Sequence, residues 1–199
     1  MRTRYAMAVL VLAGLIQGTA ARAASIASGP IVNPANQHTY YLLTADTWTN
    51  SEAFAQTLGG NLATINDAAE NTWVVQQFGQ QRDLWIGLND VQTEGTFTWA
   101  SGETSSFTNW RSGQPDNYSQ SPVAGEDYVH IYGTQTAFGG LWNDAADNPS
   151  IYSGFDFYGD VKVIQGVVEV NPAPLPSTAA CGVALLGGCV ALRRARRGR

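Results

Sequence analysis

Between Gly113 and Asp144 the chain sets out GQPDN (Gly113 to Asn117), GEDYVHIY (Gly125 to Tyr132) and LWND (Leu141 to Asp144). Gln114, Asp116, Glu126, Asn143 and Asp144 offer carboxylate and amide oxygens, and none of the five is sulfur or imidazole. Such a set suits Ca²⁺, which takes about 6 to 8 hard oxygen ligands at about 2.3 to 2.6 Å. A chain that uses them together must fold so that three separated pieces meet in one small loop region. The competing reading is a polar loop whose acids cap turns.

The charge distribution agrees with cation binding. Residues 24 to 176 hold all 16 Asp and Glu but only Arg82, Arg111 and Lys162 among 11 Lys and Arg. A module this acidic repels nucleic acid phosphates and attracts divalent cations, although most such carboxylates serve only solubility. All six tryptophans lie between Trp48 and Trp142, which locates a sizeable core. With 199 residues there is room for one domain plus processing segments. The only cysteines, Cys181 and Cys189, fall outside that core, and a helix would hold them about 12 Å apart, too far for a disulfide. The core therefore has to hold itself together without disulfides.

The chain ends read as processing segments. Arg2 and Arg4, the apolar run Ala6 to Ile16, and Ala21-Arg22-Ala23 predict a signal peptide over 1–23. Residues 24–36, small and polar with Pro30 and Pro34, read as a linker to a domain over 37–170. At 171–199, Pro172, Pro174 and Pro176 precede the apolar stretch Thr178 to Leu192 and five arginines. That stretch is marginal for a bilayer span unless the arginines snorkel, and its basic end should stay cytoplasmic.

Inside the domain, Tyr40 to Leu43 predicts a first strand. Thr49-x-x-Glu52 reads as a capping box opening a helix that turns Ala53, Phe54 and Leu58 inward and stops at Gly59-Gly60. Leu62 to Ile65 is a short strand candidate, and a second helix begins at Asn66 or Asp67 and uses Trp73, Val74 and Phe78. After Arg82 the pattern turns to strands at Leu84–Leu88, Thr96–Trp99, Asp127–Tyr132, Leu141–Trp142 and Lys162–Val170, with long intervening loops. Loops of that length in a compact domain usually bind something. Two early helices and late strands predict an α+β domain.

Taken in order, SEAFAQTLGGNLATI, WIGLND, EGTFTWASG, FTNWRSGQPDN, GEDYVHI, LWND and GVVEV resemble the C-type lectin-like domain, from about His38 to Val170. The resemblance implies a double-loop fold: two helices, a small antiparallel sheet and a long loop that binds calcium and sugar. It implies Gln114, Asp116, Glu126, Asn143 and Asp144 as calcium ligands, with Pro115 after a cis bond. Residues i and i+2 of an extended chain point the same way, so Gln114 and Asp116 would reach one ion. Gln114, Asp116, Glu126 and Asn143 would also meet the sugar hydroxyls. The Gln-Pro-Asp order resembles galactose-type members. Tyr118 stands where such members place an aromatic, and serves either as a stacking face or as a loop anchor. An auxiliary calcium would use Asp90, Glu94, Asn117 and Asp127, although Glu94-Gly95 also reads as simple turn chemistry.

The family's two common disulfides would fall at Ala55 with Val168 and at Tyr128 with a position near Asp147. Apolar packing would fill the first, and a Tyr-to-Asp hydrogen bond the second. The aromatic-rich segment from Asp147 to Asp160 either walls the sugar site, forms a partner surface or packs as core. Pro174-Leu175-Pro176-Ser177-Thr178, the apolar stretch and the arginines resemble PEP-CTERM sorting tails, although Leu175 replaces the usual Glu. They imply export, transient membrane anchoring and delivery to a bacterial surface or matrix. The leading functional expectation is a non-enzymatic, Ca²⁺-dependent carbohydrate-binding module. The alternative is a lectin-like structural or protein-interaction module that binds calcium for stability. No nucleophile motif or zinc spacing supports an enzyme, and His38 and His130 read as structural.

Overall fold

The computed structural model describes residues 23–118, 125–147 and 164–172. Both cysteines and nearly all of the expected signal peptide, of the sorting tail and of the segment from Asp147 to Asp160 lie outside the described residues. Among the described residues no helix is long and apolar enough to cross a membrane.

The sheet runs in the order β1-β2-β8-β4-β6-β7, with β3 on β8 and β5 on β4. Its strands are β1 (Ile26–Val32), β2 (Thr39–Ala45), β3 (Asn61–Leu62), β4 (Asp83–Asn89), β5 (Thr98–Trp99), β6 (Tyr128–Ile131), β7 (Trp142–Ala145) and β8 (Ile164–Val170). All pairings are antiparallel except β4 with β8. Helices α1 (Trp48–Thr57) and α2 (Ala68–Phe78) fall between β2 and β4. The α+β architecture expected from the sequence is the one observed.

Every residue of β4 is buried, because it lies between β8 and β6. Gly87 lets this strand approach its neighbour: a Cβ there would stand 2.5 Å from the Leu62 backbone oxygen. The main core packs Leu84 and Ile86 of β4 with Val74 and Phe78 of α2, and Trp142 closes its far side. Trp142 is fully buried and meets Trp99, Phe107 and Trp110 edge to face, while its Nε1 donates to Asn71 Oδ1 at 2.8 Å. Asn71 and Asn109 both donate to the Gly140 carbonyl, at 3.0 and 2.7 Å. The start of β7 is thereby held from two sides.

Four expectations need correction. Residues 24–36 do not form a linker: Ile26–Val32 is the edge strand β1, paired with β2 through two register shifts. An edge position tolerates Pro30, which has no N–H to donate. Helix α1 is capped by Thr47, whose hydroxyl accepts from the Asn50 N–H at 3.1 Å, not by Thr49. Its buried face is Trp48, Ser51, Glu52 and Ala55; Ala53 is exposed, and Glu52 accepts from the Leu62 N–H at 2.8 Å. Asp147 bonds Thr49 rather than Tyr128, accepting from its N–H at 2.9 Å and its hydroxyl at 2.6 Å. The Tyr128 ring stacks on Trp48 at 4.8 Å instead. The Ala55 and Val168 positions meet as expected, both fully buried in one apolar cluster with Leu43.

Helix α2 follows the sequence closely. Asp67 caps it, accepting from the Glu70 N–H at 2.8 Å, and Glu70 reaches back to the Asn66 N–H at 2.8 Å. Glu70 also faces Glu169 of β8 across the Tyr40 hydroxyl, which contacts both carboxylates. His130 is buried edge-on against Trp85 and Tyr132, with Nδ1 3.4 Å from Asp83 Oδ2, consistent with a structural role.

Candidate functional site

The GQPDN segment leaves the sheet after Trp110, which bridges to Trp142. Two backbone hydrogen bonds hold its start, Arg111 N–H to Trp142 O and Gln114 N–H to Arg111 O, each at 2.9 Å. The Gln114–Pro115 peptide is cis. Glu126 stands just before β6, and Asn143 and Asp144 lie on β7, which pairs with β6 in a register that sets His130 opposite Asn143 and Val129 opposite Asp144. The sheet thus carries the last three donors to the place where the loop delivers the first two.

One carboxylate oxygen from each of Asp116, Glu126 and Asp144 lies within 4.8 Å of the others. Glu126 and Asp144 are buried and Asp116 is exposed, so the cluster opens to solvent on the loop side. Asp144 accepts from the Asp116 N–H at 3.3 Å and the Asn117 N–H at 2.8 Å; Glu126 accepts from the Tyr118 N–H at 2.9 Å. Burial pushes the Asp144 carboxyl above the usual carboxylate range, against the lowering effect of the Asn117 and Asp116 N–H groups, and the Asp116 charge adds to the rise.

Gln114 lies two residues before Asp116, and its Oε1 is buried and accepts no hydrogen bond among the described residues. A buried carbonyl oxygen left unpaired costs about 1–3 kcal/mol, so its natural complement is a donor or a cation. Asn143, also buried, donates through Nδ2 to the Asp144 carbonyl and accepts at Oδ1 from the Tyr132 hydroxyl at 3.0 Å. Carboxylate and amide oxygens of this kind are the donor types that Ca²⁺ selects.

The auxiliary residues gather beside this cluster. Asp90 is 2% exposed; its Oδ2 accepts from the Gly95 N–H at 2.8 Å, while its Oδ1 is buried without a partner. Asp127 accepts the Asp90 N–H at its carbonyl, and burial followed by the Asp90 charge raises its carboxyl pKa. Asn117, at φ 43°, accepts the Glu126 N–H at Oδ1, and Glu94 is exposed. The turn from Asp90 to Thr96 is closed by its own hydrogen bonds, Thr93 N–H to the Asp90 carbonyl and Thr96 N–H to the Thr93 carbonyl, which is the turn chemistry that Glu94-Gly95 suggests. Tyr118, 55% exposed, presents its ring to solvent beside Glu126.

Two neighbours of the cluster had no signal in the sequence. Tyr132 orients Asn143 through its hydroxyl, and burial pushes that hydroxyl up to about 12 although the Arg111 charge opposes the rise. The Arg111 guanidinium lies over the Tyr132 ring at 5.7 Å and the Phe138 ring at 4.9 Å. Neither contact follows from a spacing, because 111, 132 and 138 are brought together only by the pairing of β6 with β7.

Comparison with known proteins follows the same outline. The chain is similar to C-type mannose receptor 2 of Homo sapiens, 35% identical over 126 residues, which covers 62% of this chain and 8% of the receptor. It is similar to the alpha-N-acetylgalactosamine-specific lectin of Patiria pectinifera, 35% identical over 115 residues, covering 53% of this chain and 65% of that lectin. The chain thus spans less than two thirds of the length of these relatives. Among solved structures, the human scavenger receptor C-type lectin carbohydrate-recognition domain superposes with a TM-score of 0.55 at 25% identity, covering 70% of this chain and 95% of that one. The family model for the lectin C-type domain matches residues 44–151. Because that match covers more than half of the chain, the chain belongs to the C-type lectin domain family.

Proposed function

We propose that this protein is a non-enzymatic, Ca²⁺-dependent carbohydrate-binding module with a preference for galactose-type sugars. The observation that carries the reading is the convergence of Asp116, Glu126 and Asp144 within 4.8 Å beside the buried, unpartnered Oε1 of Gln114. Gln114, Asp116, Glu126, Asn143 and Asp144 would hold the ion, which when bound supplies coordination positions for two sugar hydroxyls. This chain's residues do the rest. Glu126 and Asp144 fix the loop backbone through Asp116, Asn117 and Tyr118, and Tyr132 holds the Asn143 amide in place. The order of amide and carboxylate in Gln114-Pro115-Asp116 sets donors and acceptors around the hydroxyls, which supports galactose-type selection. The exposed Tyr118 ring supports stacking on the apolar face of such a sugar. Asp90, Glu94, Asn117 and Asp127 are proposed as a second, weaker calcium position.

The lectin names of the relatives support carbohydrate as the ligand class, and the two of them differ in the sugar they name. The ends of the sequence support export and delivery to a bacterial surface or matrix, with transient anchoring through the C-terminal tail. Retention of the purified protein on galactose resin in calcium, with release by EDTA, is the expected result; retention that survives EDTA refutes the reading. One observation favours a second reading. Because Asp144 and Glu126 bond loop backbone directly, calcium could serve mainly to shape the loop of a protein-binding module. A glycan array that stays blank in calcium, together with a calcium-dependent rise in melting temperature, would select that alternative.

A further inference from the structure

Arg111 occupies an unusual position for a cation. The region from 24 to 176 contains three Lys and Arg against 16 Asp and Glu, so acids to pair with are abundant. Nevertheless Arg111 forms no salt bridge among the described residues, where the ion pairs are those of His38 and His130. Its Nε is buried and has no hydrogen-bond partner among the described residues. The guanidinium is instead held against two aromatic rings, Tyr132 at 5.7 Å and Phe138 at 4.9 Å, and Phe138 is 40% exposed. A guanidinium cannot shed its proton in a protein, and stacking on aromatic faces restrains its plane without satisfying its five N–H donors.

The place of this stack gives it a use. Tyr132 carries the guanidinium on its ring and donates its hydroxyl to Asn143, so a single side chain separates Arg111 from the proposed sugar position. Arg111 is also tied to β7 and to the loop of that site, its N–H donating to the Trp142 carbonyl and its carbonyl accepting from the Gln114 N–H. A restrained planar guanidinium with no acid partner among the described residues matches an oxyacid group, which its two Nη groups can grip with parallel hydrogen bonds. We propose that Arg111, seated on Tyr132 and Phe138, forms a subsite for the anionic group of an acidic glycan, a carboxylate or a sulfate carried on or next to the sugar held by Gln114 and Asp116.

This subsite rests on the carbohydrate-binding reading above and makes it more specific. It also implies an order of events. The carboxylates of Asp116, Glu126 and Asp144 repel an anion as long as they are uncompensated, so acidic glycans bind only after the cation has neutralised them.

The test is a competition on the full chain, displacing it from galactose resin in saturating calcium with methyl galactoside, methyl galacturonide and galactose 6-sulfate. The two acidic probes are expected to displace at about tenfold lower concentration than the neutral one, the factor that one charge-assisted hydrogen bond supplies. Their advantage should shrink as salt is raised. Arg111→Gln should bring the ratio of acidic to neutral probe to about one, and Arg111→Lys, which keeps the charge but not the planar fork, should retain only part of it. A calcium-dependent melting shift confirms that each variant is folded, and Arg111→Lys carries the test if Arg111→Gln is not. A preference for only one acidic probe assigns the subsite to carboxylate or to sulfate. Equal displacement by neutral and acidic probes, or a ratio unchanged in either variant, overturns the subsite while leaving the carbohydrate reading intact. Failure of galactose resin to retain the wild type overturns both.

Discussion

Asp144→Asn separates a metal ligand from a structural cap, because the two roles predict opposite results without calcium. Asp144 is buried, with one carboxylate oxygen within 4.8 Å of one from Glu126 and one from Asp116. At an effective dielectric of about 20, a fully ionised pair at that distance repels by about 3 kcal/mol. The Glu126 contact counts nearly in full, whereas water screens the exposed Asp116. Asparagine removes this repulsion. It also turns an NH₂ toward one of the two backbone N–H groups that Asp144 now accepts, at a cost of about 1–3 kcal/mol. The metal-free variant should therefore be no less stable than the wild type, to within about 2 kcal/mol. In calcium at a hundred times the dissociation constant, the wild type gains about 2.7 kcal/mol, or about 5–11 °C of melting temperature for a chain of this size. The variant should gain almost nothing. Calorimetric melting of both proteins, in EDTA and in calcium chloride, reads all four values. A variant that melts several degrees below the wild type by the same margin in both buffers, with no calcium-induced rise in either protein, would refute the reasoning.

Tyr132→Phe deletes the hydroxyl that orients Asn143 and should weaken calcium binding about tenfold in a calorimetric titration; an unchanged affinity would remove Tyr132 from the site. Gly87→Ala places a Cβ 2.5 Å from a backbone oxygen and should cost about 1–3 kcal/mol in urea unfolding, with a neutral result contradicting the packing of β4 against Leu62. Burial, the largest influence on Glu70, raises its carboxyl pKa despite the hydrogen bonds from Tyr40 and Asn66. The folded state therefore binds that proton more tightly than the unfolded chain. Its contribution is complete below the ordinary Glu value near 4.5 and is lost as pH rises through the folded value. Glu70→Gln should accordingly flatten the decline in urea midpoint as pH rises above about 4.5, in EDTA; Glu52, raised in the same direction by burial, leaves a residual slope.

The parts legible in the sequence were those written in short, rigid pieces. Asp67 and Glu70 define the start of α2 within four residues, and Pro115 between Gln114 and Asp116 fixes a loop that the sheet then meets. Where partners are distant in sequence, local reading failed for identifiable reasons. Thr49-x-x-Glu52 has the spacing of a capping box, but Glu52 is taken by the Leu62 N–H and Thr49 by Asp147, leaving Thr47 as the cap. Pro30 and Pro34 suggest a linker because they weaken any strand taken alone; β1 exists because β2 pairs with it. Tyr128 and Asp147 were expected to bond because a disulfide usually joins their positions, yet an aromatic side chain finds more to contact on Trp48. In the sequence Arg111 is legible only as a charge, since its aromatic seat, Tyr132 and Phe138, lies more than twenty residues away.

The strand order has one consequence for how the module can be displayed. The chain enters through β1 and leaves through β8, both in the half of the sheet built on β2, while the carboxylate cluster belongs to the half that ends at β7. Three strand spacings, about 14 Å, separate β8 from β7. Coupling to a bead, a carrier or a second module through either exit therefore attaches at β1 or β8, three or more strands away from the strand that carries Asn143 and Asp144.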